Sequence, residues 1–296
     1  MTTEKIFDEA LKNILSEDEI LKDEPMKHHT TFRVGGPAEY YLRPKKEQVA
    51  EVLRLCLTYQ KEYLIIGNGS NLLVSDKGIS GVVIEIGKQM DEITVDGTTI
   101  YAQAGAMLSK TAHAALEAGL TGMGFAAGIP GCVGGAVVMN AGAYGGEMKD
   151  VVEEAECADA EGKLEVLSVS ELQLSYRHSA LEGTGRLVTS ATLRLSPGEP
   201  EEIRARMREL MEKRRASQPL DLPSAGSTFK RPQGGFAAAL IDQAGLKGFA
   251  IGGAQVSEKH AGFVVNRGGA TFEDVTQLMR HIQKTVFDRS GIMLEP

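Results

Sequence analysis

The chain has no tryptophan, 5% aromatic residues and three cysteines in 296 residues. Cys56, Cys132 and Cys157 are odd in number and lack metal-ligand spacing, which argues against a disulfide framework and for a reducing compartment. No basic stretch is longer than Lys213-Arg214-Arg215, and the net charge is -8, so the composition points away from a nucleic-acid partner. No apolar run approaches membrane-spanning length, and the first twenty residues are acidic rather than signal-like. The expectation is a cytoplasmic protein without membrane insertion. P-loop, H-E-x-x-H, G-x-S-x-G and C-x-x-C patterns are missing, which leaves hydrolase and zinc readings without support.

What is present is glycine. Residues 128–146, GIPGCVGGAVVMNAGAYGG, hold seven glycines in nineteen positions among small apolar residues, one Asn and one Tyr. Glycine at that density weakens regular structure, so it marks places where backbone comes close to something. Bare N–H groups in series suit a phosphate or pyrophosphate. A flexible linker is the plainer alternative, but linkers are rich in Ser and charge, and Ile129, Val133, Val137, Val138 and Met139 disfavour it. The run is read as a buried ligand-binding turn. A second glycine turn, Gly67-Asn68-Gly69-Ser70-Asn71, follows an apolar strand at 63–66. It lacks the third glycine of G-x-G-x-x-G, and the extended 72–76 stands where a Rossmann unit needs a helix. The two turns together fit a large nucleotide gripped at its pyrophosphate, in a fold other than Rossmann.

At this length one large or two to three modest domains are expected. Apolar residues at helical spacing (Ile6, Phe7, Ala10, Leu11, Ile14, Leu15, Leu21) predict a packing helix over 4–22, ended by Pro25. His28 and His29 are adjacent but have no suitably spaced carboxylate, so no metal is expected. A βαβ-like pattern follows, with an extended 40–43, a helix over 45–61 and the strand at 63–66. Two or three strands lie between 82 and 104, with Asp96-Gly97 as a hairpin turn. A helix over 106–118 closes on Gly119, and strands follow at 151–159, 164–168 and 187–195. Pro197-Gly198-Glu199-Pro200 reads as a boundary. Beyond it come a charged helix over 201–216, a proline-bearing loop over 218–232 and a helix over 236–244. An extended 262–266, a long helix from 272 to 289 capped by Thr271 with Asp274, and a short extended 292–294 complete the chain. The residues alone describe an α+β protein that binds a dinucleotide and has a distinct C-terminal domain.

Six stretches then occur in order: Thr31-x-x-Val34-Gly35-Gly36, the turn at 67–71, the run at 128–146, Ser175-Tyr176-Arg177-His178-Ser179, Gly226-Ser227-Thr228-Phe229-Lys230-Arg231-Pro232, and Leu294-Glu295-Pro296. Together they resemble the UDP-N-acetylenolpyruvoylglucosamine reductase family, flavoenzymes of peptidoglycan precursor synthesis, over residues 28–296. The resemblance implies a two-subdomain FAD-binding region of the vanillyl-alcohol-oxidase (PCMH) type plus a C-terminal α+β substrate domain. The expected division is a packing helix at 1–25, FAD-binding subdomains at 26–88 and 89–197, and the substrate domain at 198–296. It also implies non-covalent FAD on Gly67, Asn68, Gly69, Ser70, Asn71, Gly131, Gly134, Gly135, Asn140, Ala141 and Gly142. NADPH is the implied hydride donor and UDP-N-acetylglucosamine enolpyruvate the implied substrate. Three residues match the family's catalytic positions. Arg177 would face the substrate carboxylate, Ser227 would protonate C2 of the enolpyruvyl group, and Glu295 would be the third group. Tyr176, Lys230 and Arg231 are expected at the substrate. The connection from Tyr176-Arg177 to the 201–216 helix is too short for the extra tyrosine loop of one branch, so the chain resembles the branch without it. A monomer is expected. Two other readings stay open: another FAD-dependent oxidase or dehydrogenase of the same superfamily, and a non-catalytic nucleotide-binding module.

Overall fold

The computed structural model describes residues 3–296 and divides into two compact units, each assembled from separated stretches of chain. The first takes the N-terminal residues up to Asp23, then Ala38–Asn68 and Ser80–Glu212. The second takes Glu24–Pro37, Gly69–Ile79 and Lys213–Pro296. This interleaving differs from the consecutive segments expected at 1–25, 26–88, 89–197 and 198–296. Long-range packing explains it. Phe32 and Val34 are buried in one core with Val275, Leu278 and Ile282. Thr31 donates from its N–H to Gly69 O at 3.1 Å and from its hydroxyl to Ser224 O at 2.6 Å, tying three stretches of the second unit together. Ile203 and Met207, by contrast, are buried in the first unit's core, so the helix Pro200–Ser217 starts there rather than in the C-terminal region.

Among the described residues the first unit contains two larger sheets and two two-stranded ones. In the four-stranded sheet the order is Ile20–Pro25, Pro37–Leu42, Ile79–Glu85, Tyr63–Ile66, the last two parallel with Tyr63 opposite Val82. The helix Val49–Thr58 buries Val49, Val52, Leu53 and Cys56. Phe7 of the first helix meets Tyr40 edge-on at 5.2 Å. That first helix covers only Thr3–Lys12, not 4–22. Phe7, Leu11 and Leu15 keep the buried stripe, but Ser16 N–H donates to Glu19 Oε2 at 2.9 Å and fastens a separate turn at Glu17–Glu19. Ile20 and Leu21 then belong to a strand.

The five-stranded sheet is antiparallel throughout, in the order Leu164–Ser168, Val152–Ala158, Leu187–Arg194, Thr99–Gln103, Ile93–Asp96. Its centre is lined by small residues, with Ala155 opposite Ala191 and Ala191 opposite Ala102. The small side chains let a helix come close. That helix is Val133–Val138, in the middle of the glycine run, where a turn was expected. A Cβ on Gly134 would lie 2.7 Å from Ala104 Cβ, so this glycine serves close packing inside the protein.

In the second unit, the helix Phe272–Ser290 is capped by Thr271 and Asp274 as expected, and it buries Val275, Leu278, Ile282 and Val286. A three-stranded antiparallel sheet, Ala250–Ile251, Ala254–Val256 and Val264–Asn266, packs with it, together with the helix Ala237–Gln243. The hairpin over 250–256 was not anticipated, because its strands are too short to show alternation. No helix among the described residues is long and apolar enough to cross a membrane.

Candidate active site

Within the first unit the start of the 67–71 turn lies beside the 128–146 run. Asn68 Nδ2 donates to Pro130 O at 2.9 Å, and a Cβ on Gly67 would fall 2.3 Å from Cys132 Sγ. Cys132 therefore dictates glycine at position 67. Its buried thiol is pushed up by desolvation, against the N–H groups of Gly135 and Asn68 that favour its charged form. Gly135 differs from its neighbour: a Cβ there would meet only Cys132 Sγ, at an ordinary 3.6 Å. The rest of the 67–71 loop belongs to the second unit. Gly69 takes φ +58, and a Cβ on it would sit 1.9 Å from His29 O. Among the described residues, the N–H groups of Gly69, Ser70 and Asn71 donate to no backbone carbonyl. A loop with such donors unspent suits an anionic ligand such as a pyrophosphate.

Arg177 is held against the end of the glycine run. Its Nη2 donates to Gly142 O at 3.1 Å, and its Nη1 lies 3.5 Å from Asn140 O. It sits in a tight turn closed by Ser175 N to His178 O at 3.0 Å and His178 N to Ser175 O at 3.2 Å, with φ +55 at Arg177 itself. Tyr176 beside it is 57% exposed, its ring 5.4 Å from the guanidinium carbon. Asn140 is fully buried. Its Nδ2 donates to Glu147 Oε2 at 2.8 Å and to Ser175 O at 3.0 Å, while its Oδ1 accepts from Lys149 N at 2.9 Å. Glu147, which sequence reasoning missed, closes a hairpin with Gly142. The signal available was the short repeat of glycines around Ala143-Tyr144, which places Glu147 opposite Gly142.

Lys230 and Glu295 are brought together in the second unit, and Ser227 lies on the same stretch of chain as Lys230. Ser227 is exposed and pairs with Phe263, and Thr228 N donates to Gly262 O at 2.9 Å. Three residues along, Lys230 N donates to Glu295 O at 2.8 Å, and the Lys230 ammonium pairs with the Glu295 carboxylate. The chain end is anchored by Leu294, which is 1% exposed, and by Gln283 Nε2 donating to Leu294 O at 2.8 Å. The Arg231 guanidinium lies 4.0 Å over the Phe236 ring.

Residues 38–168 match a family described as FAD binding domain, and residues 218–296 match the C-terminal domain of UDP-N-acetylenolpyruvoylglucosamine reductase. The UDP-N-acetylenolpyruvoylglucosamine reductase of Agathobacter rectalis is 52% identical over 289 residues, which is 94% of this chain and 92% of the relative. That of Caldanaerobacter subterraneus subsp. tengcongensis is 49% identical over 293 residues, 99% of this chain and 97% of the relative. The chain belongs to the UDP-N-acetylenolpyruvoylglucosamine reductase family. A crystal structure of a UDP-N-acetylenolpyruvylglucosamine reductase from Thermus caldophilus is 38% identical, with a TM-score of 0.79 over 88% of this chain and 93% of that one. An alkyldihydroxyacetonephosphate synthase, 17% identical with a TM-score of 0.52 over 65% of this chain and 40% of that one, shares the fold alone. The α+β fold, with a FAD-binding region and a reductase C-terminal domain, is that of the reductase family. Gly67 to Asn71, Gly131, Gly134, Gly135 and Asn140 to Gly142 fall in the first matched region. Ser227, Lys230, Arg231 and Glu295 fall in the second, and Tyr176 and Arg177 lie between the two.

Proposed function

We propose that the chain reduces the enolpyruvyl ether of UDP-N-acetylglucosamine enolpyruvate to UDP-N-acetylmuramate, using FAD and NADPH, in peptidoglycan precursor synthesis. In this reading it acts as a cytoplasmic monomer. The observation that carries it is the joining, on one chain, of a FAD binding domain over 38–168 to the reductase C-terminal domain over 218–296.

The residues present fit a dinucleotide. FAD would be held non-covalently by Gly67, Asn68, Gly131, Gly135, Ala141 and Gly142, and further along the same loop by Gly69, Ser70 and Asn71. Gly134 would support them from behind, since its open side is filled by Ala104. When bound there, FAD would supply the hydride chemistry that links NADPH to C3 of the enolpyruvyl group.

The protein's own residues manage charge and protons. Negative charge develops at C2 and spreads into the adjoining carboxylate. Arg177, always cationic and with a planar fork, would stabilise that charge as it forms. The Ser227 hydroxyl would deliver the proton to C2. It is a weak acid, but a carbanionic carbon is a strong base, so the transfer runs downhill. Glu295 would be the third catalytic group, and Tyr176, Lys230 and Arg231 would contact the substrate. Because Lys230 is paired with Glu295, a phosphate that draws Lys230 away also leaves Glu295 available.

The test is colour. The purified protein is expected to be yellow, to bleach with NADPH and to regain colour with the enolpyruvyl substrate in the absence of oxygen. A colourless protein that FAD cannot reconstitute overturns the reading. Rapid recolouring by oxygen with none by the enolpyruvyl substrate points instead to an oxidase.

A further inference from the structure

Every polar group of Asn140 has a partner within the protein. Both hydrogens of its side-chain amide are used, by Glu147 Oε2 at 2.8 Å and Ser175 O at 3.0 Å. Its Oδ1 accepts from Lys149 N at 2.9 Å, its backbone N–H donates to Val137 O at 3.2 Å, and its carbonyl faces Arg177 Nη1 at 3.5 Å. The residue is fully buried and holds φ +38, a left-handed conformation that Asn tolerates better than most residues. A buried amide with every group satisfied fixes the elements it joins, and leaving one of them unpaired is costly.

The elements it joins are informative. On one side is the hairpin of Gly142–Ala143 and Gly146–Glu147, whose Gly142 O accepts from Arg177 Nη2 at 3.1 Å. On the other is the 175–178 turn that carries Arg177 in a left-handed conformation. Ser175 O, the anchor of that turn, accepts from both His178 N and Asn140 Nδ2. Asn140 thus grips the turn through Ser175 and faces the Arg177 head group with its own carbonyl, while Glu147 sets the plane of its amide from behind.

We propose that Asn140, oriented by Glu147, is the positioning residue for Arg177, and that it acts on the enolpyruvyl step through that arginine and not as a flavin contact. The inference rests on the reading of Arg177 as the partner of the substrate carboxylate. A fork bonded to Gly142 O of the hairpin and facing Asn140 O, on a turn that Asn140 grips through Ser175, is oriented before any anion arrives. Such pre-organisation acts where charge develops and leaves steps without that charge alone.

The experiment uses the FAD-loaded protein and two stopped-flow half-reactions, bleaching by NADPH and recolouring by the enolpyruvyl substrate. Asn140→Asp keeps the shape and the tolerance of left-handed backbone but sets a carboxylate against Ser175 O and Glu147. It is expected to slow recolouring at least ~10-fold, a factor equivalent to one well-placed hydrogen bond, and to leave bleaching within about 2-fold by the charge argument above. In an Arg177→Ala background the same substitution is expected to add nothing to the loss in recolouring, because the route through Arg177 is already gone. If the two losses multiply, Asn140 acts independently and the proposal is overturned. Loss of flavin, or equal slowing of both half-reactions, with Asn140→Asp also overturns it, unless the variant fails to fold. Glu147→Ala then carries the test, since it removes the outer partner of the amide, together with that partner's exposed ion pair to Lys149. It is expected to slow recolouring about 3-fold, again without further loss over Arg177→Ala, and multiplication of the losses overturns the proposal. If Arg177→Ala by itself spares recolouring, the underlying reading of Arg177 falls first, which separates the two failures.

Discussion

Arg177 and Glu295 are supported in opposite ways. Arg177 is half-buried, bonded to a hairpin carbonyl and backed by a fully buried amide. Glu295 is exposed, 69% accessible, at the penultimate position, and its side chain pairs with Lys230. What holds Glu295 is its backbone: Leu294 in the core and the Lys230 N–H on its own carbonyl. An exposed ion pair contributes little to stability and exchanges readily. The first unit therefore holds a group that is fixed in advance, and the second holds one whose backbone is fixed while its charge sits in an exposed pair. The glycines divide in the same way. Gly134 meets Ala104 at once, whereas around Gly226, Gly234 and Gly235 nothing lies within 4 Å.

The largest expected effect breaks the first side of that contrast. Gly134→Val forces a branched side chain against Ala104, at a site where overpacking costs about 3 kcal/mol or more. Little folded holo-protein is expected, as read by thermal melting and flavin content. Gly135→Ala should melt near the parent temperature, because its Cβ makes only an ordinary contact with Cys132. Flavin loss from Gly135→Ala with the fold intact would put the cofactor against that residue. Gly226→Ala, in open space but at φ +82, should cost only about 1 kcal/mol from backbone strain.

Next in size is Ser227→Ala. Recolouring by the enolpyruvyl substrate should slow at least ~10²-fold, the lower range for losing a positioned proton donor, while NADPH bleaches the flavin at nearly the parent rate. Equal slowing of both steps would assign Ser227 to the fold. Ser227→Cys, which keeps a donor, should be the faster of the two variants.

Deleting Glu295 and Pro296 tests the other side of the contrast directly. Flavin content should be retained and melting should change little, since Leu294 stays. Recolouring should fall, and fall further than in Glu295→Gln, which keeps a hydrogen-bond donor. Recolouring at the parent rate in the truncated protein makes Glu295 a tail residue. Lys230→Met should shift the melting temperature by no more than about 1 °C, because the pair it breaks is exposed.

The smallest effect is at Asp274. Thr271 N and Gly253 N donate to its Oδ2 at 3.0 and 3.2 Å, and these backbone groups hold the carboxyl below its ordinary value of 3.8. A depressed carboxylate stabilises the folded state fully above its unfolded pKa and loses that contribution as pH falls through the folded one. Asp274→Asn should cost about 0.5 kcal/mol at pH 7, the lower end for a helix cap. In melts at stepped pH the gap to the parent should close below about pH 4. A gap that does not narrow as the pH falls below about 4 would place the cost in packing rather than charge.

Much of this was legible before the structure. The strands at 63–66, 164–168 and 187–195, the helix closed by Gly119 and the Thr271 cap each rest on local signals: alternation, a left-handed glycine, a hydroxyl followed three residues later by a carboxylate. The 4–22 helix was misjudged because Ile20 and Leu21 continue a helical spacing by coincidence while Ser16 and Glu19 close a turn of their own. The turn expected at the centre of the glycine run is in part the helix Val133–Val138. Glycine lowers helix propensity there, and only the small residues of the sheet beneath it make the close approach worthwhile.

Local chemistry is what the sequence determined by itself. It carried the motif residues, the absence of long basic and apolar runs, the periodic elements and the candidate groups for anion and proton handling. Tertiary structure decided which stretches share a core and which groups are spent. That Phe32 lies with Ile282, that Cys132 requires glycine at 67, and that Asn140 reaches Ser175 depend on contacts across tens to hundreds of residues. Such contacts have no signature in neighbouring residues, because the energy that selects them is burial and hydrogen bonding between segments that meet only when the chain is folded.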